Sequence, residues 1–321
     1  VSTLPPHPAT ATRHAVGGLA RHAVGGLARH AAPPLDLEQL RAAGFVTVIC
    51  RDEVASTMIE AAAVAAAGAD LPAVVIAARQ SQGRGRRDAG WWQAADSLAA
   101  SLVLAPPVTD GPRPGWSLAC GVAVAETLRA VEPGITAGVR WPNDIEVLGR
   151  KLAGILVEVT TAGRVIFGIG INTAGHAADA PEPLRQRLVT VPDLIGRSLD
   201  RTAVLAGILP RLVGIIAEMA ADPETLVRRH APLCSLTGRH VVLHDEPRQQ
   251  GGPLRHEGTC RGIGTDGGLV LETAAGLRRF ITGSLTPPGE VWRPEPVQRP
   301  AGVAATQTSR PPEESCRARG S

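Results

Sequence analysis

The chain has 321 residues and 44% hydrophobic content, enough to bury one sizeable core and a small accessory domain. Its 33 basic and 30 acidic residues leave a net charge of +3, which gives no electrostatic footprint for nucleic acid. No apolar run has the length of a membrane span, no basic segment leads into an apolar core as in a secretory signal, and the five cysteines (Cys50, Cys120, Cys234, Cys260 and Cys316) match no CxxC or zinc spacing. A reducing compartment, the cytoplasm, is therefore expected, with no membrane and no structural metal.

Residues 1–34 are rich in Pro, Ala, Gly and His, and the octapeptide RHAVGGLA stands twice in succession, at 13–20 and 21–28. Gly-Gly pairs oppose a helix and the repeat is too short for a solenoid unit, so a disordered leader is predicted. Residues 35–44 form a short helix ending at Gly44, and the β-branched run 45–50 forms the first strand. Within 52–68, Ser56 has N-cap chemistry and an alanine-rich helix runs to Gly68. Strands follow at 73–78 and 98–104, separated by a polar, glycine-rich loop at 80–90; Pro106 and Pro107 end the second of them. A long helix with a Leu/Val/Ala face covers 116–131, and 135–139 leads into a tight bend.

That bend opens the stretch RWPNDIEVLGRKLAGILVEV at 140–159. Pro142 biases Trp141 toward extended backbone, Asn143 and Asp144 bring turn chemistry, and Ile145 and Val147 alternate around Glu146 as in a half-buried strand. Leu148, Gly149 and Arg150 close a hairpin, and the return strand begins at Lys151, with Gly154 leaving room beside the backbone. A lysine entering a buried strand needs an anionic partner, which Asp144 or Glu146 would provide. A further strand is predicted at 164–171, a loop with a short helix at 177–192, and helices at 201–219, kinked or divided at Pro210, and at 223–230. After Pro232 the runs 239–244, 257–264, 268–272 and 277–281 read as short strands, with GTDGG at 264–268 as a hairpin turn.

The organisation expected is a leader at 1–34, a mixed α and β domain at 35–231, a small all-β domain at 232–291 read as a β-barrel, and a disordered tail at 292–321. Strands and helices without regular βαβ alternation favour α+β over a doubly wound sheet.

Two stretches carry chemistry. In the loop GRGRR at 83–87, glycines permit a close backbone path, exposed amides form an anion nest, and arginine forks suit phosphate or carboxylate. Trp91 and Trp92 follow it, and indole can stack on a base or wall an apolar pocket. The loop with its tryptophans, followed by WPND and KLAGILVE, resembles biotin protein ligase over about residues 45–291.

The resemblance implies a mixed-sheet catalytic domain of the biotin/lipoate ligase type followed by an SH3-like β-barrel. It implies activation of biotin with ATP and Mg2+ to biotinyl-5′-AMP, then transfer to a lysine of the biotin carboxyl carrier domain of a biotin-dependent carboxylase. On this resemblance Ser56, Thr57, Met58 and Gln80 contact the biotin head, together with Gly154. Arg84, Gly85 and Arg86 close over its tail and the phosphate. Lys151 bridges carboxylate and phosphate, and Asp144 positions either magnesium or the attacking lysine. Arg86, Arg87, Trp91, Asn143 and Asn172 face the nucleotide. Lys151, Arg86 and Asp144 are thus the catalytic candidates.

The chain also departs from the family pattern. Met58 replaces an asparagine after Ser-Thr, Asp88 and Ala89 replace a glycine and an arginine of the loop, Asp96 and Ser97 replace Gly-Asn, and Arg140 replaces a lysine. With about 44 residues before the first strand, a form without a DNA-binding winged helix is expected, as a monomer or homodimer. The competing readings are a lipoyl or octanoyl transferase on the same fold, which would have no need of an adenylate loop, and a non-catalytic module that binds biotin or an adenylate.

Overall fold

The computed structural model describes residues 34–105, 114–245 and 254–286. The expected leader, apart from Pro34, the tail, and the Pro106-Pro107 stop lie outside these residues.

In chain order the first elements are α1 (Leu37–Ala42), β1 (Thr47–Val54), α2 (Thr57–Ala66), β2 (Ala73–Gln80), β3 (Leu98–Leu104) and α3 (Pro114–Val131). The edge of the sheet and the hairpin follow as β4 (Gly138–Arg140), β5 (Asp144–Val147), β6 (Arg150–Val159) and β7 (Val165–Ile171). Then come the helices α4 (Glu182–Arg185), α5 (Val191–Ile195), α6 (Arg201–Ala221) and α7 (Glu224–His230). β1 through β7 make one sheet in the order β1-β2-β3-β7-β6-β5-β4, parallel between β1 and β2 and antiparallel elsewhere. It is the mixed sheet expected.

Strand alternation decides what each face meets. Val74, Ile76, Leu98, Leu102, Phe167 and Ile169 belong to the large core with α3 and α6. Their neighbours Ala73, Val75, Val103 and Ile166 face the other way and pack with Met58 and Ala61 of α2. Ser56 caps α2 by accepting from the Met58 N–H at 3.3 Å. Because α2 is only 10 residues long, about 15 Å of helix at 1.5 Å per residue, it covers part of that second face and leaves the rest to loops.

α6 runs unbroken through Pro210. It is long and apolar enough by length and composition to cross a bilayer, yet Val204, Leu205, Ile208, Leu212 and Ile215 are buried in the large core. Close approach to α3 is set at Gly207, where an added Cβ would stand 2.7 Å from Thr127 Cγ2. The packed stripe holds the helix together despite the donor lost at proline.

The C-terminal strands are β8 (His240–His244), β9 (Arg255–Ile263), β10 (Leu269–Thr273), β11 (Gly276–Phe280) and β12 (Ser284–Thr286). They form one antiparallel sheet in the order β11-β10-β9-β8-β12. The expectation of an SH3-like β-barrel is overturned: β11 and β12 are the two edges, and among the described residues no ladder joins them. Closure needs every edge paired. Gly276, Leu277, Arg278 and Arg279 of β11 are exposed, and the three residues of β12, a strand the sequence reading missed, pair with β8 instead. Local alternation predicts short strands but not which edges meet.

Trp141, 1% exposed, fastens this sheet to the hairpin by donating from Nε1 to the Gly267 carbonyl at 3.0 Å. Trp141→Phe is expected to cost about 1–3 kcal/mol by leaving that carbonyl unpaired. Urea unfolding of the two proteins measures it, and equal midpoints would count against a structural role for the bond.

Candidate active site

On the face that α2 leaves uncovered, the sheet is nearly bare of side chains. Ala99, Gly170 and Gly154 lie in register across β3, β7 and β6. The indole of Trp91 lies directly over them: a Cβ at Gly170 would come 2.5 Å from Trp91 Cε2 and Cζ2, and one at Gly154 would come 2.9 Å from Cζ3. Trp91 Nε1 is buried there without a hydrogen-bond partner. A buried donor in that condition is costly unless something supplies an acceptor.

The loop that carries Trp91 folds back on itself. Trp91 N–H donates to the Gly83 carbonyl at 2.9 Å, Gly85 N–H to Ala89 at 2.7 Å, and Arg84 bridges Gly90. Gly83 is required because a Cβ there would meet the Trp91 carbonyl at 2.8 Å. Arg87 takes a left-handed backbone, φ 56°, which sends the three arginines apart. Arg86 Nη1 donates to Asn143 Oδ1 at 3.3 Å, Arg87 Nη1 donates to Ser284 Oγ at 2.5 Å, and Arg84 pairs with Glu158 at 2.9 Å.

On the hairpin, Lys151 Nζ stands 2.8 Å from Asp144 Oδ1 and 5.5 Å from the centroid of the Trp91 ring. The carboxylate contact is an ion pair by distance but lacks hydrogen-bond alignment, since Asp144 Oδ1 counts no hydrogen-bond partner. Both side chains are about a third exposed, at 32% and 27%, so the pair is free to exchange partners. Of the two carboxylates the sequence offered, Asp144 is the one used; Glu146 is buried and faces Arg140 at 3.4 Å and Arg239 at 3.6 Å.

A bulge produces this arrangement. Glu146 pairs with Lys151 but Ile145 pairs with Ala153, so one extra residue sits in β6. Lys151 and Gly154, an odd number apart, would otherwise face opposite ways; the bulge brings Lys151 Cε to 3.1 Å from a Cβ built at Gly154. Leu148 and Gly149, both at positive φ, close the hairpin as a primed turn.

Asn143 Nδ2 donates to the Ile155 carbonyl at 2.8 Å, which leaves its Oδ1 to accept from Arg86. Asn172 ends β7 and donates from Nδ2 to the Val189 carbonyl at 3.1 Å, while its buried Oδ1 has no partner. Val189 N–H in turn donates to the Lys151 carbonyl at 2.9 Å, tying Asn172 to the lysine's backbone.

At the α2 end of the patch Gln80 Oε1 accepts from Thr57 N–H at 2.9 Å and from its hydroxyl at 3.1 Å, and Ser101 Oγ donates to Thr57 Oγ1 at 2.8 Å. Met58 seats its sulfur over Gly168, where a Cβ would come within 2.6 Å of Sδ, so an apolar surface stands at this position.

The structure thus gathers Arg86, Trp91, Asn143, Asp144, Lys151 and Gly154 at one edge of the patch, with Ser56, Thr57, Met58 and Gln80 at the other. Arg84 is carried to Glu158, seven positions along β6 from Lys151, and Arg87 to the C-terminal sheet. Sequence reasoning missed Ser101, Glu158 and Gln93, whose Oε1 accepts from Gln80 N–H at 3.1 Å. It also missed Gly168 and Gly170, although glycine at alternate positions of a buried strand was a readable sign of something lying against the sheet. A cavity of about 310 Å³ lies elsewhere, behind the hairpin beside Glu146 and Arg239. The convergence of cations, amides and orphaned polar atoms, not that cavity, locates the site.

Comparison with known proteins shows what the chain is similar to. The sequence pattern described as Biotin/lipoate A/B protein ligase family matches residues 54–174. The bifunctional ligase/repressor BirA of Bacillus spizizenii is 33% identical over 246 residues, covering 74% of this chain and 73% of that one. The biotin–[acetyl-CoA-carboxylase] ligase of Mycobacterium tuberculosis is 36% identical over 208 residues, covering 60% of this chain and 75% of that one. Among solved structures, biotin protein ligase from Aquifex aeolicus in complex with biotin and ATP superposes with a TM-score of 0.65 at 25% identity, over 75% of this chain and 98% of that one.

Gly170→Ala is expected to lift the Trp91 indole off the sheet and to destabilise the fold by about 1–3 kcal/mol. Tryptophan emission and chemical unfolding measure both, and an unchanged spectrum with unchanged stability would mean the indole is not seated on β7.

Proposed function

The chain belongs to the biotin protein ligase family and is a biotin-activating, ATP-dependent ligase, and from that premise we infer how its residues divide the work. In the first step an oxygen of the biotin carboxylate attacks the α-phosphorus of ATP, biotinyl-5′-AMP forms, and pyrophosphate leaves. In the second an amine attacks the acyl carbon, AMP leaves, and the amine loses a proton.

The obstacle in the first step is repulsion between two anions. The observation that carries the reading is the meeting of two cations beside the bare patch: Arg86 reaches Asn143 at 3.3 Å, and the next residue, Asp144, holds Lys151 at 2.8 Å. Lys151 turns from Asp144 to bridge carboxylate and α-phosphate, and stabilises the charge that develops between them. Arg86 holds the phosphate from the loop side and, with Gly85, keeps water from the acyl phosphate. The fused ring of biotin lies toward the Thr57 and Gln80 end, beside the Trp91 indole that covers Gly154 and Gly170, and Trp91 walls the nucleotide side. Thr57, Gln80 and Ser101 meet the ureido polar atoms. The nucleotide side is formed by Asn143 and Asn172, whose unpartnered Oδ1 is an acceptor for an adenine amino group.

Once Lys151 has turned away, Asp144 is left to orient the attacking amine. No group of three or more ligating His, Cys, Asp or Glu side chains occurs among the described residues, so magnesium would travel on the phosphates with Asp144 as its protein ligand and would neutralise phosphate charge. The acceptor we propose is the lysine of a biotin carboxyl carrier domain, in keeping with the Mycobacterium tuberculosis relative, a biotin–[acetyl-CoA-carboxylase] ligase. The reaction is assigned to the cytoplasm, with residues 35–231 as the catalytic unit.

The direct test mixes the purified chain with ATP, magnesium, biotin and a carrier domain and probes the carrier for biotin. Unlabelled carrier together with undiminished biotin-dependent pyrophosphate exchange would reject the acceptor but keep the activation step. Lys151→Ala is expected to slow that exchange by about 10²–10³-fold with the fold intact; an unchanged rate removes Lys151 from the chemistry. Arg86→Ala is expected to speed release of biotinyl-5′-AMP by about 10-fold to 100-fold, the worth of one charged hydrogen bond, and a dissociation rate equal to that of the parent would argue against the loop assignment.

A further inference from the structure

Between β2 and β3 the sheet forks, and one side chain fills the fork. The ladder joining the two strands runs from Ala73 opposite Val103 to Ala77 opposite Ala99 and stops, while β1 stays paired with β2 as far as Val54 opposite Gln80. Polar backbone groups of consecutive strand residues point to opposite sides. Ser81 N–H donates to the Val54 carbonyl at 3.0 Å on the β1 side, so the Ala78 carbonyl and the Gln80 N–H turn the other way, toward β3. The start of β3 leans away from them: Leu98 N–H donates to Thr173 Oγ1 at 3.1 Å and Ser97 Oγ to the Ala174 carbonyl at 3.0 Å, both just past the end of β7. Gln93 takes the vacated place. Its Oε1 accepts from Gln80 N–H at 3.1 Å, and its Nε2 donates to the Ala78 carbonyl at 3.0 Å and to the Ser97 carbonyl at 3.2 Å.

A backbone N–H only donates and a carbonyl only accepts, so the Gln93 amide fits this fork in one orientation alone. The side chain stands in for one residue of a neighbouring strand. Gln80 is thereby held at two points, its backbone by Gln93 and its side chain by Thr57, whose N–H donates to Gln80 Oε1 at 2.9 Å. The same rule of donors and acceptors fixes the Gln80 amide, and its Nε2, 3.4 Å from a Cβ built at Gly83, is left to donate to a ligand. The nucleotide-side groups are held by other means. Trp91 has its own bond to the Gly83 carbonyl and its seat on Gly154 and Gly170, and Lys151, Asn143 and Asn172 are bonded to Asp144, Ile155 and Val189. Removing the Gln93 amide deprives three backbone groups of a partner at the ring end and none at the nucleotide end.

We propose that Gln93 is a positioning residue for the ring-binding end of the site: its amide fixes the backbone of Gln80 and so aims Gln80 Nε2 at the ureido group of biotin, without itself touching the ligand. The identity of that ligand rests on the ligase reading, whereas the fork and its three bonds do not.

The test compares Gln93→Met, which keeps the length of the side chain and removes its amide, with the parent chain in biotin-dependent pyrophosphate exchange, varying biotin and ATP separately. The KM for biotin is expected to rise by about 10-fold to 100-fold, with kcat and the KM for ATP within about threefold of the parent. Gln93→Glu keeps an acceptor for Gln80 N–H but sets a second carboxylate oxygen against two carbonyls, and is expected to raise the same constant. A general loosening of the loop would raise both KM values together, since Trp91 and Arg86 serve the nucleotide; that result, or an unchanged KM for biotin, overturns the proposal. A parent chain without exchange activity rejects the ligase reading, and calorimetric titration with biotin then decides: equal Kd in parent and Gln93→Met, or no binding by either, overturns the positioning role. Should both variants fail to fold, amide hydrogen exchange of the unmodified chain without ligand gives a further reading. Gln80 N–H is expected to exchange at least about 10-fold more slowly than Gly83 N–H, and equal rates would overturn the hold by Gln93.

Discussion

The ion pair between Lys151 and Asp144 governs the geometry of the site, because it can form on the patch side only if β6 carries its extra residue. A regular strand would point Lys151 and Gly154 to opposite faces, and the ammonium would enter the large apolar core where no carboxylate waits. With the bulge, a cation, its carboxylate and a bare glycine share one face. Trp91 then completes the surface by lying across Gly154 and Gly170, close enough to the ammonium for its ring to share in holding the charge.

The rest of the fold supports that face from behind. Phe167 and Ile169 of β7 anchor the strand in the large core, while Gly168 and Gly170 turn the other way and present backbone to Met58 and Trp91. The C-terminal sheet braces both the hairpin and the arginine loop. Trp141 and Arg140 bind the hairpin to Gly267 and Leu285, and Arg87 binds the loop to Ser284. An open sheet can do this where a closed barrel would have used β12 to satisfy β11. Instead β12 is an edge strand among the described residues, and its Ser284 hydroxyl accepts from the arginine.

Met58 illustrates how a departure from the family pattern is absorbed. An amide at this position would reach toward a polar ligand, whereas the thioether fills the space over Gly168 and joins the small core under α2. The hydrogen-bonding work at that end passes to Thr57, Gln80 and Ser101, which already form a connected set.

Most of the strands and helices, though not β12 or the unbroken course of α6, and the two chemical stretches were legible in the sequence because each depends on local chemistry: alternation in β2 and β3, the Ser56 cap, the Leu148-Gly149 turn, and glycine and arginine crowded into 83–87. Residues 140–159 by themselves identified the lysine and restricted its partner to two carboxylates. What the sequence left open were questions of register and of which edges meet. The bulge that chose Asp144 over Glu146, the diversion of Arg84 to Glu158 and the open C-terminal sheet all join residues far apart in the chain or shift pairing by a single residue. A one-residue slip reverses every facing side chain while leaving composition and periodicity untouched, so only the packed tertiary structure could decide them.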